Sequence, residues 1–114
     1  MVDKLMGQLV DGIWHPGWYK PNDTGAFERP KTVFRNRVTA VSSGRYHLYA
    51  AKACPWAHRT LITRSLRGLE HAIGVTIVDP HMGDDGWVFK TDDPDPIGGG
   101  KFLRDVYLRA DSRR

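Results

Sequence analysis

Hydrophobic and polar positions change period several times along this chain. In "YHLYAAK", Tyr46, Leu48 and Ala50 alternate with His47 and Tyr49. A period of two in a short aromatic-rich run predicts a strand. From Pro55 to about Leu69 the period lengthens, and Leu61, Ile62, Leu66 and Leu69 fall on one side of a helix. Arg59, Arg67 and Glu70 take the wet side. Proline suits the first helical position, where its missing N–H would have no partner anyway. "AIGVTIVDP" then concentrates β-branched residues and ends at Pro80, which predicts a second strand. A glycine-, aspartate- and proline-rich stretch, "HMGDDGWVFKTDDPDPIGGG", reads as a long loop. "KFLRDVYLRAD" closes the pattern, with Phe102, Leu103, Val106, Tyr107 and Ala110 on one helical stripe.

Residues 1–44 show little periodicity. They carry Pro16, Pro21 and Pro30 together with Trp14, Trp18, Tyr19, Phe27 and Phe34. This predicts an irregular aromatic-rich extension tacked onto the rest by its rings. The expected organisation is therefore an extension over 1–44 and an α/β unit over 45–114. Strand–helix–strand implies a right-handed parallel pair. Two parallel strands make an incomplete sheet, so one edge of the first strand is expected to lie open to a partner chain.

Composition narrows the classes. The chain has 114 residues, about one small domain, and 40% of them are hydrophobic, enough for a modest core. No apolar run reaches membrane-spanning length, and Asp3, Lys4, Gln8 and Asp11 interrupt the start where a leader would be apolar. The net charge of +4 is spread without a basic run interleaved with aromatics, so nucleic-acid binding is not expected. The acids gather at Asp79, Asp84, Asp85, Asp92, Asp93 and Asp95 and read as a solvated loop without the calcium-loop pattern. None of the five histidines stands at metal-ligand spacing from the cysteine or from a second histidine, so no metal is expected. One cysteine excludes an internal disulfide and favours a reducing, cytoplasmic setting.

That cysteine, Cys54, stands between the first strand and the helix. A helix start offers unpaired N–H donors and a partial positive charge, and both stabilise a thiolate. Ala57 occupies the place where a C-x-x-C motif would put its second sulfur. Any redox cycle must therefore use an external thiol, and glutathione is the cytosolic candidate. A buried, inert cysteine is the competing reading. His58 and Arg59 are expected to face solvent.

"GRYHLYAAKACPWAHRTLITRSLRGLE" closely resembles the first strand and helix of the glutathionyl-hydroquinone reductases, the cysteine-type xi class of the glutathione transferase superfamily. "MGQLVDGIWHPGWY", "FERPKTVFRNRVTA", "DGWVF" and "KFLRDVYLRAD" resemble further segments of that family, with Arg37 standing where the family has tryptophan. The resemblance implies a thioredoxin-like N-terminal domain, in its β-α-β-α half. It implies reductive deglutathionylation with Cys54 as nucleophile, glutathione as co-substrate and glutathionyl-hydroquinones as substrates. It also implies that Trp87 packs against bound glutathione.

The family continues with a Val-Pro segment, a Glu-Ser pair and a helical domain. Neither dipeptide occurs in the chain. The expectation is a truncated member. Its alternatives are a non-catalytic fragment that binds a partner or a second copy through the open sheet edge, and a general monothiol glutaredoxin-like deglutathionylase.

Overall fold

The structure is a computed structural model, and it describes residues 7–17, 23–26 and 31–113. Its elements run β1 (Gly7–Val10), β2 (Ile13–Pro16), β3 (His47–Ala50), α1 (Pro55–Leu66), β4 (Gly74–Ile77) and α2 (Leu103–Ala110).

β3 and β4 pair in parallel, with His47 opposite Gly74 and Ala50 opposite Ile77. α1 makes the crossover, so the expected strand–helix–strand unit is present. The sheet is covered on both sides. Leu48 faces α1, while Tyr49 packs with Cys54, Trp87, Leu103 and Val106 around Ala51, Val78 and Phe89. This explains why the alternation in β3 does not separate a dry face from a wet one.

The extension departs from expectation. Residues 7–16 form an antiparallel hairpin, with Gly7 opposite Pro16 and Val10 opposite Ile13. Its turn is Asp11-Gly12, with φ of 49° and 80°. Two successive positive φ values give the turn whose twist matches a hairpin. Residues 31–46 run without helix or strand, and 31–45 are exposed.

Two of the expected aromatic tacks hold the extension. The Trp14 indole N–H donates to the Asp84 carbonyl at 2.7 Å, and Phe34 lies 5.7 Å from the Tyr107 ring. Trp18, Tyr19 and Phe27 lie outside the described residues. Gly86 is buried with φ +73°, and a Cβ there would come within 2.9 Å of the Trp14 ring, so only glycine lets the indole approach.

Both helical stripes need correction. In α1 the half-buried positions are Ala57, Leu61 and Arg64, whereas Ile62 is 45% and Leu66 80% exposed. The inward face continues the line of Cys54 at steps of three and four. Arg64 occupies it because its guanidinium donates to the Ile73 and Glu70 carbonyls at 2.7 and 3.0 Å. Leu69 lies beyond the helix, half-buried. In α2, Leu103 and Val106 meet the core, while Tyr107 and Ala110 are exposed.

The loop after β4 is not a solvated excursion. It lies alongside β4 and then doubles back, through bridges Val78 to Phe89 and Val88 to Phe102. Asp93 accepts from the Ile77 N–H at 2.8 Å and so closes the outer edge of β4. Asp95 is buried.

Candidate functional site

Cys54 is where the geometry of a nucleophile is most complete. The chain leaves β3 through Ala51 and turns, the Cys54 N–H donating to the Ala51 carbonyl at 3.0 Å. Cys54 then caps α1 with extended backbone (φ −96°, ψ 117°) and Pro55 follows as the first helical residue. The first intrahelical bond is His58 N–H to the Cys54 carbonyl, 3.1 Å.

Four N–H groups at a helix start have no partner within the helix. Here Cys54 has spent its own on Ala51 and Pro55 has none, which leaves those of Trp56 and Ala57. No side chain caps them. The thiol is free and half-buried. One side of it rests on the Ala51, Val78 and Phe89 cluster, and the rest remains open to solvent.

Trp87 packs against that same cluster. Residues 33 positions apart in sequence thus meet one apolar centre. Trp87 is half-buried, and its carbonyl accepts from the Leu103 N–H at 2.9 Å. His58 and Arg59 are exposed, as expected. Arg59 lies over the ring of exposed Trp56, 4.6 Å from its centroid.

A hollow lies between β3 and α1, and neither Cys54 nor Trp87 lines it. Its volume is about 330 Å³, and Leu48, Arg59, Thr60, Thr63, Arg64, Leu69 and Ile73 line it. Among the described residues no group of three or more histidine, cysteine, aspartate or glutamate side chains could hold a metal ion. No helix among them is long and apolar enough to cross a membrane.

Sequence reasoning missed Asp95. Its Oδ1 accepts from the Tyr49 hydroxyl at 2.8 Å and from the N–H groups of Ile97 and Gly98 at 3.0 and 3.4 Å. Its Oδ2 accepts from the Gly100 N–H at 3.1 Å and the Arg109 guanidinium at 2.7 Å. Burial pushes the carboxyl up, but the bonds from Ile97, Tyr49, Arg109 and Gly100 outweigh it and hold Asp95 below the usual carboxylate range. Burial, then the Asp95 hydrogen bond and charge, push the Tyr49 hydroxyl up to about 12. The one local signal was an aspartate followed within five residues by proline and glycines, the composition of a side-chain-closed turn.

Asp105 was missed too. It accepts from the N–H groups of Lys101 and Phe102 at 3.1 and 3.0 Å. That is half of a capping box, since Phe102 has no side-chain oxygen to return the bond.

No family model matches the chain. Individual proteins do. The chain is 44% identical to glutathionyl-hydroquinone reductase YqjG of Escherichia coli, over 93% of this chain and 38% of that protein. It is 46% identical to glutathionyl-hydroquinone reductase PcpF of Sphingobium chlorophenolicum, over 93% of this chain and 36% of that one. The xi-class glutathione transferase of Natrialba magadii superimposes with a TM-score of 0.78 at 43% identity, over 96% of this chain and 35% of its own. The glutathione-bound structure of YqjG gives 0.71 at 40%, over 94% and 35%. The chain therefore spans little more than a third of the relatives it matches. Sequence and fold agree that it belongs to the xi class of the glutathione transferase superfamily, the family of the glutathionyl-hydroquinone reductases, and corresponds to their thioredoxin-like N-terminal portion.

Proposed function

We propose that this chain is the glutathione-binding, nucleophile-bearing portion of a reductase that strips glutathione from glutathionyl-hydroquinones. The observation that supports it most is the placement of Cys54, half-open at the start of α1 with two helix N–H groups unspent. The glutathione-bound relative supports glutathione as the co-substrate.

In the proposed cycle the Cys54 thiolate attacks the sulfur of the glutathionyl thioether. A Cys54–glutathione disulfide forms as the carbon–sulfur bond breaks. The ring carbon leaves with the electron pair and takes a proton, which gives the hydroquinone. The thiolate of a second glutathione then attacks the mixed disulfide, releasing Cys54 and forming oxidised glutathione. Over the cycle one thiol and the thioether sulfur become a disulfide, Cys54 is regenerated, and the two electrons released end on the ring carbon, so the balance needs no further reductant. The Trp56 and Ala57 N–H groups stabilise the Cys54 anion at the start and end of the cycle. Trp87 supplies an apolar wall for the glutathione on the cluster it shares with Cys54. The setting proposed is the reducing cytoplasm.

A second reading has its own observation. Among the described residues β3 pairs only with β4, and a strand with one unpaired edge can take another chain. A partner chain or a second copy is the proposed occupant.

The test is a single-turnover mass measurement with the chain and a glutathionyl-hydroquinone. The reading expects a glutathione adduct on Cys54 with one equivalent of hydroquinone released, and neither in Cys54→Ser. No adduct in a folded, monomeric sample overturns it. Equal turnover of glutathionylated proteins would favour a general deglutathionylase. Concentration-dependent association without turnover would favour the sheet edge.

A further inference from the structure

The side chain of Asp95 is fully buried, yet nothing in the proposed cycle uses it. Its five donors come from three places. Tyr49 belongs to β3, Arg109 to α2, and the N–H groups of Ile97, Gly98 and Gly100 to the turn between them. One carboxylate therefore gathers a strand, a turn and a helix.

Residues 101–103, next in the chain after that turn, hold the Trp87 segment. Phe89 N–H donates to the Lys101 carbonyl at 3.0 Å, and Leu103 N–H donates to the Trp87 carbonyl at 2.9 Å. Val88 and Phe102 form the bridge between these bonds. Asp105 fixes the same segment from the other side through Lys101 and Phe102 N–H. The Trp87 backbone is thus clamped by a short ladder whose far rail begins one residue beyond Gly100.

We propose that Asp95 is a positioning residue, which by seating the 97–100 turn on β3 and α2 fixes residues 101–103 and through them sets Trp87 against the glutathione site. The inference rests on the reading of Trp87 as the glutathione contact. The carboxylate itself matters, because every partner is a donor. In an amide of the same shape one oxygen becomes an N–H₂ group, so either three donors or two lose their acceptor.

The test uses the whole chain carrying Asp95→Asn, with ¹⁵N-labelled tryptophan and the Trp87 indole signal assigned through Trp87→Phe. Three readouts are taken: the indole spectrum, glutathione affinity by calorimetry, and the rate of Cys54 alkylation by iodoacetamide. The Trp87 signal is expected to move while that of Trp56 stays. Glutathione affinity should fall roughly tenfold, the scale of one charge-assisted hydrogen bond. Alkylation should stay within about twofold, because the helix start that activates the thiol is untouched.

An unmoved Trp87 signal in folded protein overturns the inference. So does a parallel change in Trp56 and in alkylation, which would describe general loosening. If Asp95→Asn does not fold, Arg109→Gln removes the α2 donor to Asp95 without touching the cluster around Trp87, and the Trp87 signal must still shift alone for the inference to stand. If the unmutated chain gives no heat with glutathione, the glutathione reading fails, while the indole comparison still decides whether Asp95 holds Trp87.

Discussion

α1 and the loop that comes after β4 exchange the roles their shapes suggest. α1 is twelve residues of regular helix with none of them buried. The loop has no named strand or helix before α2, yet it contributes Phe89 to the core and Asp95 to the buried polar centre. Regular hydrogen bonding in α1 is local and needs little from the rest of the molecule. The loop has no such ladder of its own, so its backbone must be satisfied by β4, by α2 and by its own aspartates. That requirement draws it into the interior. The helix start holds the proposed nucleophile and the irregular segment carries the packing.

Substitutions can break that contrast. The largest effect is expected from Phe89→Ala, which should cost about 3–5 kcal/mol in a urea melt. That is a large part of a small domain's stability. Asp95→Ala should cost a similar amount, since it strands Arg109 and four other donors beside an empty site. Trp14→Ala should cost about 1–3 kcal/mol and release the hairpin, read as faster amide exchange over residues 7–16. Leu66→Ala, on the exposed side of α1, should stay within about 0.5 kcal/mol despite removing a leucine from a helix. Asp85→Asn loosens an exposed ion pair with Arg104 at 3.4 Å and should shift the midpoint by less than about 1 kcal/mol. A large loss at Leu66 would erase the contrast, and a small loss at Phe89 would reverse it.

Acid and base sharpen the same point. Asp95 is held below its ordinary range in the fold. Its contribution is complete above the unfolded carboxylate value of about 4 and is lost as pH falls below it. Tyr49 is raised from 10.0 to about 12. Its contribution is complete below 10 and is lost as pH climbs from there toward 12. Urea midpoints should therefore fall at both ends, and Tyr49→Phe should remove the alkaline limb and weaken the acid one, because Asp95 loses one of its donors.

The β3–α1–β4 unit and the position of Cys54 were legible because both rest on near neighbours: a short strand, a proline at a helix start, a β-branched run. The hairpin was legible in principle. Asp11-Gly12 is a strong hairpin signal, but the flanking strands of four residues carry no clean alternation. The inward face of α1 cannot be read from apolar residues alone, because Arg64, bonded to the Ile73 and Glu70 carbonyls, shares it with Leu61 while Ile62 and Leu66 face out. Asp95 was illegible for a different reason. Two of its decisive partners stand 46 and 14 residues away, and nothing in an aspartate-rich stretch marks one member for burial.

The hairpin has a consequence for the order of events during synthesis. Its turn is made from adjacent residues, but its seat is not. The Trp14 indole is bound 70 positions ahead, at Asp84, and the cation above its ring belongs to Arg104, 4.8 Å away. A chain leaving the ribosome exposes the indole long before either has been made. β1 and β2 are then a two-stranded ribbon without a support, a form with little stability of its own in water. The hairpin is translated before the residues that seat it and should be held only after them. In pulse-labelled nascent chains, amides of residues 7–16 should gain protection only once α2 has emerged, and earlier protection would show that the ribbon stands alone.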